Sequence, residues 1–68
     1  MARDEVQLAT RRYRIMADHP HGRQLPARAW DAIADRLRRA AQLVTDDYAT
    51  FCLDRASDAH HRAVEAAS

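Results

Sequence analysis

The stretch Ala40-Ala41-Gln42-Leu43-Val44-Thr45-Asp46-Asp47-Tyr48 decides whether the second half of this chain is one helix or two. Read locally, a threonine followed by two aspartates has the composition of a helix N-cap with acids in its first turn, and a new helix can begin there. Read over a longer window, Trp30, Leu37, Val44 and Phe51 are each seven residues apart, and Tyr48 falls on the same stripe. A seam that keeps its phase this way belongs to one continuous helix. No glycine, proline or asparagine stands nearby to reverse the chain. The continuity favours a single long helix over residues 27–66, with a kink or break admitted at 45–47.

Working outward, Asp18-His19-Pro20-His21-Gly22-Arg23-Gln24-Leu25-Pro26 holds both prolines and the single glycine. It therefore reads as a loop over 18–26, with Pro26 suited to the first position of the next helix, where its missing N–H would be unpaired anyway. Before the loop, Val6, Ala9, Tyr13 and Met16 recur at helical spacing over about residues 3–17, flanked by Leu8 and Ile15. The opposite face carries Arg3, Gln7, Arg11 and Arg14. Beyond Phe51 the apolar positions shrink to Cys52, Ala56, Ala59, Ala63 and Ala66, a shallow strip rotated away from the earlier seam, whose line passes to Arg55 and Arg62.

The fold expected is all-α and a single domain over residues 1–68. It consists of a helical hairpin, with a short first helix and a long second one, completed by oligomerisation into a helical bundle. Its rationale is one of length and core size. A helix over 27–66 extends about 60 Å, and the first helix covers about a third of it. In 68 residues the large apolar groups are few and alanine fills most other apolar positions, so the 47% hydrophobic content overstates the area available for burial. A lone cysteine, Cys52, supplies no internal disulfide, and association is the remaining way to stabilise so small a chain.

Net charge is +1, but it is unevenly laid out. Residues 1–44 hold nine arginines against five acids, a net +4, and residues 45–68 hold two against five, a net −3. Such a dipole favours contact between a basic and an acidic half. All eleven basic residues are arginine, which with abundant alanine suggests a high-GC bacterial source. The opening residues lack the apolar run of a signal peptide and no stretch approaches a membrane span, so a cytoplasmic location without membrane partners is expected.

For function, the sequence points first to a non-catalytic helical interaction protein, a homo-oligomer or an accessory subunit of a larger partner. Trp30, Ile33, Leu37, Val44, Tyr48 and Phe51 would carry the contact. The alternative is a nucleic-acid-binding regulator whose dimer presents Arg11, Arg12, Arg14, Arg36, Arg38 and Arg39 on one surface to neutralise phosphates. Against it stand the low net charge, the nearby acids Asp31 and Asp35, of which Asp35 is spaced to pair with Arg39, and a loop too long for a helix-turn-helix.

A weaker alternative is a metal site at Asp58, His61 and Glu65, since Asp58-x-x-His61 resembles the Glu-x-x-His spacing of di-iron bundles. That stripe lies opposite the alanine strip, on a face expected to be wet. His19-x-His21 with His60-His61 or Cys52 would make zinc ligands only if the loop folded back on the distal helix. Cys52, between Phe51 and Leu53, reads as a buried inert thiol. With no phosphate-cradling glycine loop and no nucleophile elbow, neither an enzyme nor a cofactor is expected.

Overall fold

The computed structural model describes residues 2–44 and 47–68, with the side chains of Ala2, Arg3 and Arg23 outside the description. Among the described residues there are three α-helices and no strand: α1 (Ala2–Asp18), α2 (Ala27–Ala41) and α3 (Asp47–Ala67). Asp4 and Glu5 sit in the first turn of α1, where the exposed N–H groups favour negative charge. The helix ends at Asp18, one residue before His19, whose helical conformation Pro20 disfavours.

The loop then tightens into a 3-10 turn, Gly22–Gln24, in which the Gly22 N–H donates to the His19 carbonyl at 2.9 Å and the Gln24 N–H to that of His21 at 2.9 Å. Gly22 is buried, and a Cβ there would overlap the backbone carbonyl oxygen of Met16. Only glycine lets the loop lie this close to α1. Pro26 stands one position earlier than the sequence suggested. It is the extended N-cap of α2 (φ −67°, ψ 153°), and its carbonyl accepts the Ala29 N–H at 2.9 Å.

The long second helix is not what forms. α2 stops at Ala41, where the last turn closes with Gln42 N–H on the Arg39 carbonyl (3.2 Å) and Leu43 N–H on that of Ala40 (3.0 Å). Arg38 and Arg39 sit in that last turn, beside the carbonyls that attract positive charge. After a connection of five residues, 42–46, a third helix runs back along α2. Thr45 and Asp46, where the sequence offers an N-cap, lie outside the described residues. The chain is accordingly a three-helix arrangement rather than a hairpin, and its longest dimension is 34 Å, about the length of α3 alone.

Size complementarity explains why folding back wins over a continuous seam. The buried face of α3 is the strip of small residues Cys52, Ala56, Ala59 and Ala63, not the line through Tyr48 and Phe51. Opposite it stand Trp30, Ile33, Ala34, Leu37, Ala40 and Ala41 of α2, so bulky groups on one helix meet methyl groups on the other and the backbones approach closely. An uninterrupted rod leaves both faces wet. Folding back buries Trp30 (1% exposed) and Leu37 (0%) within the chain, each contributing about 1.5–3 kcal/mol.

Val6 and Ala9 of α1 close the core, with Tyr13 and Met16 packed at its edge, and no polar side chain is buried among the described residues. The apolar face of α1 is split. Its central stripe faces inward, while Leu8 and Ile15 remain 52% and 57% exposed. A seam too long for one chain to cover, one of the two grounds for oligomerisation, is therefore absent, while the small core of a 68-residue chain remains.

Candidate functional site

α1 packs more loosely against α3 than against α2, and a groove of about 820 Å³ opens between them. One wall is the α1 face from Gln7 to Asp18, with Arg11, Tyr13, Arg14 and Ile15. The other is Phe51, Arg55 and Arg62 of α3. Spacings of four and seven put these last three on one stripe, the line that arginine takes over where the alanine strip rotates inward. Four arginines face one acid, Asp18, giving the lining a net +3.

The cations are held differently. Arg55 sits over Phe51, its guanidinium carbon 3.6 Å from the ring centroid. Arg62 donates from Nε to Asp58 Oδ2 at 2.8 Å and reaches over Trp30, 5.1 Å from that ring's centroid. The Tyr13 hydroxyl donates to the same Asp58 oxygen. Arg11 and Arg14 are exposed and make no ion pair among the described residues.

This Tyr13-Asp58-Arg62 arrangement ties α1 to α3 and sets the local titration. Burial, and then the bond to Asp58, pushes the Tyr13 hydroxyl up to about 12. For Asp58, burial acts to raise the carboxyl, but the hydrogen bonds from Tyr13 and Arg62, with the charges of Arg62 and His61, together outweigh it and hold it below its ordinary range. The Cys52 thiol is pushed up by burial, with Arg55 opposing. It is fully buried, which keeps it in the unreactive protonated form.

The residues singled out from sequence scatter. Trp30, Ile33 and Leu37 are buried in the chain's own core. Val44 is half-buried against that core, while Tyr48 and Phe51 are exposed. Of the six arginines assigned to a shared surface, Arg11 and Arg14 line the α1–α3 groove. Arg12 and Arg36 line a separate recess between α1 and α2. Arg36 donates to Glu5 Oε1 at 3.0 Å, and Arg38 to Asp35 Oδ1 at 3.2 Å. Asp35 thus pairs three residues on, with Arg38, and not four residues on with Arg39.

Asp58 is occupied by Tyr13 and Arg62, while His61 meets Glu65 at 3.1 Å out in solvent. Among the described residues no three His, Cys, Asp or Glu side chains converge as metal ligands. His19 and His21 stay in the loop, the His21 N–H donating to His19 Nδ1 at 3.0 Å, and His60 lies 3.9 Å from Asp31 instead. The sequence reading missed the groove itself. Its signal was the stripe Phe51, Arg55, Arg62, whose meaning needs α1 alongside.

Comparison with protein-family models, with curated proteins and with solved structures returns no match. No helix among the described residues is long and apolar enough to cross a membrane.

Proposed function

We propose that this chain is a non-catalytic helical interaction protein, a small scaffold that self-associates or docks onto a larger partner in the bacterial cytoplasm. One observation carries the reading. Leu8, Ile15, Leu43, Tyr48, Phe51, Leu53 and Val64 remain 40–57% exposed although the chain already has a closed apolar core. Of these outward apolar groups, Ile15 and Phe51 lie together on one groove, where a protein contact would form. The contact residues are then Tyr48 and Phe51 of the original seam together with these outward positions. The nucleic-acid reading is weakened by the division of its arginines between two grooves and two ion pairs.

Site-specific photo-crosslinking tests the proposal. A photoreactive residue is placed in turn at each of the seven exposed positions of the full chain in its source cells. Discrete adducts at one or more positions are expected, a doubled mass marking a second copy and any other mass a different partner. No discrete adduct at any of the seven overturns the reading.

A further inference from the structure

We propose that the groove between α1 and α3 receives one acidic amphipathic helix of a partner protein, its apolar edge on Ile15 and Phe51 and its carboxylates on Arg11, Arg14 and Arg55. The inference rests on the interaction reading above and names its site and its partner's chemistry.

Shape, charge and apolar surface agree on this occupant. The groove runs between two helices, and its α1 wall from Gln7 to Asp18 is about 17 Å long, three helical turns. A helix laid along it completes a four-helix bundle, and amphipathic helices commonly dock in such apolar grooves. Ile15 is 57% exposed and Phe51 40%, so greasy surface waits at both lips. Around it the guanidinium groups of Arg11, Arg14 and Arg55 have no carboxylate partner among the described residues, whereas the charge of Arg62 is already matched by Asp58. Acidic side chains flanking an apolar stripe satisfy both demands at once.

A nucleic acid fits less well. Three unmatched cations neutralise few phosphates, and Arg12, Arg36 and Arg38 are directed elsewhere.

The test uses the full chain, labelled with nitrogen-15, and three probes at low ionic strength. The first is a synthetic helical peptide of leucine, alanine and glutamate with leucines at i, i+3, i+4 and i+7. The second is the same peptide with lysine for glutamate, and the third is a short DNA duplex. The glutamate peptide is expected to bind saturably, with amide shifts concentrated on α1 from Gln7 to Asp18 and on α3 around Phe51 and Arg55. Arg14→Glu should weaken it about tenfold, since a repulsive charge then replaces an attractive one at the rim. Arg14 is exposed and unpaired, so this variant keeps the native helix content, and Ile15→Ser serves as a second, uncharged change with the same expected direction.

Absence of binding by the glutamate peptide, shifts that map away from the groove, or equal binding of the lysine peptide overturns the inference. So does preferential binding of the duplex in the groove. If it falls while crosslinked adducts form at Leu53 or Val64, the interaction reading survives without this site. If no adduct forms anywhere, both fall.

Discussion

Replacing Ala59 with leucine gives the sharpest test of the fold. Ala59 is fully buried, on the face of α3 that meets Trp30, Ile33 and Leu37 of α2. Three added carbons there have no space to enter, so the helices must separate or neighbouring side chains leave their rotamers, at a cost of about 1–3 kcal/mol. A domain of this size is stable by about 3–10 kcal/mol, and each kcal/mol moves the midpoint by about 4–8 °C. The expected fall in Tm is therefore about 5–20 °C, read by circular dichroism at 222 nm over a range of protein concentrations. Ser57→Leu, two residues away on the exposed side, should stay within about 0.5 kcal/mol of the parent. The competing picture makes the opposite forecast. On a continuous rod the alanine strip faces solvent or a second chain, and leucine there adds burial. An Ala59→Leu variant as stable as the parent, or more so with a concentration-dependent Tm, would refute the fold-back argument.

Leu37→Ala empties a site that is 0% exposed and should cost about 2–5 kcal/mol, enough to leave a sizeable unfolded fraction in urea titration at 25 °C. Gly22→Ala should lower Tm measurably, because its Cβ meets a backbone oxygen that cannot step aside, and at least about 1 kcal/mol is expected. Tyr13→Phe removes a hydrogen bond to a carboxylate that is 42% exposed, and solvent screening limits the loss to about 1 kcal/mol. Stability should also depend on pH through this pair. The raised Tyr13 hydroxyl favours the folded state fully below about 10, the unfolded value, and that contribution fades as pH rises toward 12. The lowered Asp58 carboxyl contributes above about 4 and loses its contribution as acid protonates the folded form. Urea midpoints across pH 2–12 should show the alkaline decline in the parent and a weaker one in Tyr13→Phe. Identical alkaline limbs would disprove the assignment.

Much of the architecture could be read from local chemistry. Pro20, Gly22 and Pro26 mark the break after α1, and the 3.6-residue recurrence of Val6, Ala9, Tyr13 and Met16 marks α1 itself. The end of α2 could not be read the same way. Trp30, Leu37 and Val44 have identical spacing whether the helix continues or stops, so heptad arithmetic carries no information about Gln42 and Leu43. What decides it is the fit of Ala56, Ala59 and Ala63 against Trp30 and Leu37, a relation between side chains about twenty to thirty positions apart. The rotated alanine strip was visible, yet small residues look like weak burial until a large partner is set against them. The groove was hidden for the same reason. Arg11 and Arg14 belong with Arg55 only once α1 crosses α3, and Arg36 leaves the basic cluster because Glu5, 31 residues earlier, comes within reach.

The junction of Tyr13 with Asp58 bears on motion within the molecule. α2 and α3 share the most extensive contact, whereas α1 packs least against α3 of the three helix pairs and is moored to it by the Tyr13–Asp58 hydrogen bond. Subglobal opening should therefore begin at the N-terminal helix, swinging about the 3-10 turn, with the other two still clasped. Amide hydrogens of α1 would exchange with solvent deuterium ahead of those around Leu37 and Ala59, and faster still once acid neutralises the mooring.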